Sequence, residues 1–148
     1  MPRLPAELLD LSRYPFSLSL PTRYGDIDQN GHVNNVAMAG LFEDARSRFI
    51  SWVNVRRQVT NLRMVIASAH IEYIAESFYP RPIEMHVGLI SIGRSSWTIA
   101  EVALQNDKIC GFCRATLVRV DQDGPTPWPE AFHAAMQPFM LREPVTSP

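Results

Sequence analysis

One stretch of this chain carries the spacing of a helix, and almost everything after it alternates like sheet. Ala39, Phe42, Ala45, Phe49 and Val53 fall at steps of three or four residues. On a helix they make a single apolar stripe. Asn34 stands just before it as an N-cap. Glu43 with Arg46, and Asp44 with Arg48, sit at ion-pair spacings expected on the other side. The pattern fades near Asn54, and Val55 to Asn61 reads as a connecting loop.

The flanking segments repeat every second residue. Phe16, Leu18 and Leu20 alternate with serines, which predicts a first strand. Ala69, Ile71, Tyr73 and Ala75 alternate with His70, Glu72, Ile74 and Glu76. Tyr79-Pro-Arg-Pro82 breaks that strand, and Ile83, Met85, Val87 and Leu89 begin another. Gly93 to Ser96 reads as a turn, and Gln105 to Lys108 as a hairpin turn between strands Trp97–Leu104 and Ile109–Val120. Asp121 to Pro129 is a proline-marked loop, and Glu130 to Met136 a short helix.

One strand, one helix and four further strands predict an α+β layer, a single amphipathic helix on an antiparallel sheet. One helix cannot cover a wide sheet, so the other face or an edge is expected to meet another subunit. The domain is placed at 16–140, with a loose N-terminal arm at 1–15 and a frayed tail at 141–148.

The 148 residues suffice to bury a core without staples. Fourteen basic residues against fifteen acidic ones leave a net charge of -1, which excludes nucleic-acid binding by bulk electrostatics. No apolar run reaches the length of a bilayer span, and the N-terminus lacks a secretory core, so a cytoplasmic home without membrane contact is expected. Cys110 and Cys113 have CxxC spacing, which raises a redox or metal reading. They lie in a strand-like run, where residues three apart face opposite ways. They read as small core residues, and no metal is expected.

The segment rich in chemistry is Arg23-Tyr-Gly-Asp-Ile-Asp-Gln-Asn-Gly-His-Val-Asn-Asn35. Two carboxylates, a histidine and three asparagines crowd a loop that opens a helix. A helix start offers unpaired N–H groups and partial positive charge, able to hold an oxyanion. A carboxylate beside it can serve as nucleophile or as base for water. The same residue types also make caps and turns. Asp26, Asp28 and Asn30 alternate as in a calcium loop, but the glycine and late glutamate of an EF-hand are not in place.

This segment resembles the signature of the 4-hydroxybenzoyl-CoA thioesterase-like hotdog family. Ile71-Glu-Tyr-Ile-Ala-Glu-Ser-Phe-Tyr-Pro-Arg-Pro82 and Ile92-Gly-Arg-Ser-Ser96 are similar to that family's second strand and a strand-connecting turn. The similarity runs from about Phe16 to Val120. It implies a hotdog fold, a long central helix wrapped by a curved antiparallel sheet of about five strands. It also implies a homodimer or homotetramer with active sites between subunits.

By the same resemblance Asp28 matches the catalytic carboxylate, and the Asn35 backbone N–H matches the oxyanion donor. Asp28-Gln-Asn-Gly-His-Val-Asn-Asn35 is similar as well to the Asp-x-Asn-x-His-Val-Asn-Asn stretch of plant-type acyl-ACP thioesterases, which implies roles for Asn30 and His32. The expected activity is hydrolysis of acyl-CoA thioesters without a cofactor. Gly31, Arg94 and Ser95 are the expected substrate contacts, Arg94 and Ser95 toward the phosphate or pantetheine end of CoA. His70 and Glu72 are lesser candidates for the pocket wall, and Asp26 is expected to hold the loop. A hydratase reading is disfavoured, because the Gly-Asp-x-Asn-Pro-x-His spacing of that class is absent. A non-catalytic acyl-CoA binder remains the competing class.

Overall fold

The computed structural model describes residues 4–144. Strand β1 (Phe16–Leu20) leads through a loop into helix α1 (Asn35–Val53). Strands β2 (Met64–Tyr73), β3 (Ile83–Ile92), β4 (Ser96–Gln105) and β5 (Lys108–Asp121) follow. A two-residue β6 (Gly124–Pro125) pairs with β5, and α2 (Phe132–Met136) comes last. The sheet order is β1-β3-β4-β5-β2, all antiparallel.

That order explains the wrapping. β1 and β2 are consecutive strands on opposite edges, so α1 has to cross the whole sheet between them. Register shifts at Ile66/Ser68, Leu89/Ser91 and Ala103/Leu104 bend three of the long strands. Such bulges add twist, and the sheet curls over the helix. This is the hotdog arrangement expected from the sequence.

The helix ends are set by local chemistry. Asn34 Oδ1 accepts from Ala37 N–H at 2.7 Å, and Asn54 stops the helix at φ 59°, in the left-handed region. Asn34→Ala removes one cap bond and is expected to cost about 1 kcal/mol in urea unfolding. The buried stripe runs Met38, Phe42, Ala45, Phe49, Val53, so it starts at Met38 rather than Ala39. These side chains pack on Met85, Trp97, Ile99 and Ala115 from the sheet.

Four readings are corrected. Arg46 is buried and does not pair with Glu43; it turns inward to Glu101 of β4, while Arg48 Nε does bond Asp44 Oδ1 at 2.8 Å. β2 begins at Met64, before any alternation is visible, and ends at Tyr73. Its pairing with β5, rather than its own pattern, sets those limits. The two cysteines share the helix-facing side, because the irregularity between β4 and β5 near Cys110 inserts a residue. The arm is not loose over residues 4–15. Leu8 and Tyr14 are buried against Ala100, Val102 and Phe112 on the outer sheet face, joined by Leu141. Tyr14 Oη donates to the Leu8 carbonyl at 2.6 Å, and Arg142 N–H donates to the Arg13 carbonyl. The chain's own ends thus cover the middle of the face that one helix leaves bare. Residues 1–3 of the expected arm and 145–148 of the expected tail lie outside the described residues.

Candidate active site

The loop before α1 is tied at both ends by its acids. Arg23 donates to Asp26 through its backbone at 2.8 Å and its guanidinium at 3.0 Å. The Asp26 carbonyl accepts from Asn34 N–H, which holds the helix start in place. Burial pushes Asp26 up, but the hydrogen bonds and charge of Arg23 outweigh it and hold the carboxyl below its usual range. Asp26 is therefore a brace, as the sequence suggested.

Asp28 opens a tight turn. Gly31 N–H donates to its carbonyl at 3.0 Å, and Gly31 sits at φ 80°, a conformation that favours glycine. The Asp28 Oδ1 accepts from Asn30 N–H at 2.8 Å and His32 N–H at 3.2 Å. The other carboxylate oxygen has no partner among the described residues. His32 then pairs with the strand-like segment after β2, in an isolated bridge to Phe78. Its Nε2 lies 3.2 Å from Glu76 Oε2, and its ring meets Phe78 edge to face at 5.2 Å.

Asp28, His32 and Asn35 line one concave pocket of about 320 Å³. Tyr73, Glu76, Ser77, Met38 and Cys110 are among its other lining residues. Asn35 is the first residue of α1, and neither its N–H nor that of Val36 has an acceptor among the described residues. Tyr73 Oη donates to the Asn35 carbonyl at 3.0 Å and fastens the helix start to β2. The pocket thus joins Asp28, His32 and Asn35, the first residue of α1, whose N–H is unpaired among the described residues. That is the equipment for attack on a carbonyl with the developing oxyanion held in place.

The remaining candidates are placed elsewhere. Asn30 and Gly31 are exposed on the turn and outside the lining, and Asn30 meets Asp28 through its backbone. Arg94 and Ser95 precede β4, whose far end Gln105 bonds Phe78 beside His32. The ten residues of β4 span about 30 Å, so one subunit does not bring this turn to Asp28. The Arg94 and Ser95 carbonyls are occupied by Trp128 and Arg119 amides. His70 and Glu72 pair with each other at 3.5 Å outside the pocket.

Glu76, Tyr73 and Cys110 escaped sequence reasoning. Glu76 stood in a plain alternating run, and only the bridge from His32 to Phe78 gives it a role. Cys110 is no rival nucleophile, because burial pushes its thiol up to about 11. The Cys113 thiol is raised to about 12 by burial and by Glu101. Both thiols are buried and free. Among the described residues no three His, Cys, Asp or Glu side chains are grouped to hold a metal, and no helix is long and apolar enough to cross a membrane.

The profile of the Thioesterase-like superfamily matches residues 22–136, most of the chain and all of this site. The chain belongs to the thioesterase-like superfamily. A thioesterase-superfamily structure from Jannaschia sp. CCS1 shares 26% identity and a TM-score of 0.75 with this thioesterase-like protein, over 97% of this chain and 100% of the other. A thioesterase from Thermus thermophilus, complexed with coenzyme A and Zn, has the same fold at a TM-score of 0.74 and 23% identity, over 84% of this chain and 94% of that one. The uncharacterized protein YsmA of Bacillus subtilis (strain 168) is 24% identical over 86 residues, and the match spans 58% of each chain.

Proposed function

We propose that the protein hydrolyses acyl-CoA thioesters, with Asp28 and the helix-start amide of Asn35 as its reactive pair. The observation that carries this reading is the shared pocket, lined by Asp28, one of whose carboxylate oxygens has no partner among the described residues, and by Asn35, the first residue of α1. Membership of the thioesterase-like superfamily supports thioester hydrolysis in general. The fold shared with a coenzyme A complex supports CoA as the carrier.

In the proposed reaction the thioester carbonyl oxygen lies on the Asn35 N–H. Asp28 takes a proton from water as the water oxygen adds to the carbonyl carbon, or it adds to that carbon itself and water then cleaves the resulting mixed anhydride to free the acid and Asp28. The oxyanion sits at the positive end of α1. Collapse of the tetrahedral intermediate expels the CoA thiolate, a good leaving group that needs no strong acid. His32, braced by Glu76, positions the water.

A second copy of the chain fits the same reading. β2 is an edge strand with exposed Val65, Ile66 and Tyr73, the kind of edge that seeks a partner. Arg94 and Ser95, too distant within one subunit, would meet CoA only across a subunit boundary.

The direct test is thiol release from short, long and aromatic acyl-CoAs, followed with a thiol-reactive dye. Turnover of at least one thioester is expected. Inertness across the whole panel, with acyl carrier protein thioesters included, would leave acyl-CoA binding without hydrolysis as the function.

A further inference from the structure

Beneath the second half of α1 lies a pocket separate from the one at Asp28. Its volume is about 640 Å³, a size that takes a medium-sized organic molecule. It shares no lining residue with the Asp28 pocket. Arg46 lies eleven residues along the helix from Asn35, roughly 16 Å of axial rise. The apolar walls are Ile50, Val55, Leu62, Met64, Ile66 and Leu117.

What sets this pocket apart is the arginine in it. Arg46 sits within the apolar stripe of α1, and its side chain is only 9% exposed. Its Nη1 donates to Glu101 Oε2 at 2.7 Å and lies 4.0 Å from Cys113 Sγ. Nε and Nη2 have no acceptor among the described residues, yet neither is sealed from solvent as Glu101 Oε1 is. A guanidinium edge with two parallel N–H groups matches the two oxygens of a carboxylate. Arg56 adds a second positive charge to the lining, and Glu43, exposed and solvated, a negative one. Glu101 pairs only with Nη1, so the desolvated Nε and Nη2 donors are what a bound carboxylate would satisfy.

We infer that this pocket binds a carboxylate with an apolar body, the head group on Nε and Nη2 of Arg46 and the body along Ile50, Leu62, Met64, Ile66 and Leu117. The inference does not depend on Asp28 chemistry. It stands or falls on a charge and a cavity that the proposed reaction leaves unused.

Octanoate is a suitable probe, titrated calorimetrically into the full chain beside neutral octanol. Wild type is expected to bind octanoate saturably, with a preference of about tenfold or more over octanol. Arg46→Lys keeps the charge and the contact with Glu101 but has no fork, and should lose most of that preference. Arg46→Met/Glu101→Gln removes both charges of the pair without stranding either, and should lose all of it. Circular dichroism and urea unfolding verify that each variant is folded. Asp28→Asn should bind octanoate as wild type does. The inference is overturned by absent saturable binding in wild type, by a preference that survives in both Arg46 variants, or by binding that disappears in Asp28→Asn. The last result would put the carboxylate at the reaction centre instead.

Discussion

Asp28→Asn is expected to lower kcat for thioester hydrolysis by roughly 10² to 10⁴, the usual worth of a positioned base. The substitution is a clean one. An asparagine oxygen can still accept from the Asn30 and His32 amides, as Asp28 Oδ1 does. The turn to Gly31 and the start of α1 should therefore survive. What is lost is the second oxygen as a base, since an amide accepts no proton near neutral pH. Unfolding free energy should stay within about 1 kcal/mol of wild type, because the surface turn keeps its bonds. Rate measurements with a thiol dye and urea unfolding on the same samples separate the two effects. A variant that stays folded and keeps wild-type kcat would remove Asp28 from the mechanism. His32 or Glu76 would then be the next groups to substitute.

Arg46→Met is expected to destabilise the fold by about 3–5 kcal/mol, the largest stability effect anticipated for a single change here. Glu101 has no exposed surface, and its Oε1 already lacks a partner. Removing the guanidinium leaves that carboxylate with no counter-charge. Burial pushes Glu101 up to about 7 even with Arg46 in place, against a starting value of 4.5. An acid whose folded value is raised folds better when protonated. Its favourable contribution is complete below about pH 4.5 and is lost as pH rises toward 7. Without Arg46 the folded value moves higher still, so the loss extends to more alkaline pH.

The damage from Arg46→Met should accordingly be smaller at pH 5 than at pH 8. Glu101→Gln added to Arg46→Met should recover most of the lost stability at pH 8. Urea midpoints for the three proteins at both pH values test this. A penalty equal at pH 5 and pH 8 would mean that lost packing, rather than a stranded charge, explains the effect.

Most of the frame was legible in the residues. The helix was visible because 3.6-residue periodicity is local, Asn34 is a capping residue type, and the apolar pattern fades near Asn54. The later strands were visible wherever one face is buried and the other is not. β2 was misread at its start because it is an edge strand, exposed over most of its length, so its pattern carries little contrast. The loop of the candidate site was legible as a cluster, and Asp26 was read correctly as a brace.

The amino-acid sequence by itself therefore determined the element types, the α+β class and the crowding of acid, histidine and helix start around Asp28. Tertiary structure alone decided which of those groups share a pocket. It placed Glu76 on His32, left Arg94 and Ser95 at the start of β4, away from His32, and laid the N-terminal segment on the outer sheet face. It also took Arg46 away from Glu43, three residues distant in sequence, and joined it to Glu101, 55 residues away. The reason is physical. Periodicity and capping depend on neighbours within a few residues, whereas the pairing of buried charges depends on which strands the fold brings under the helix, and no local pattern encodes that.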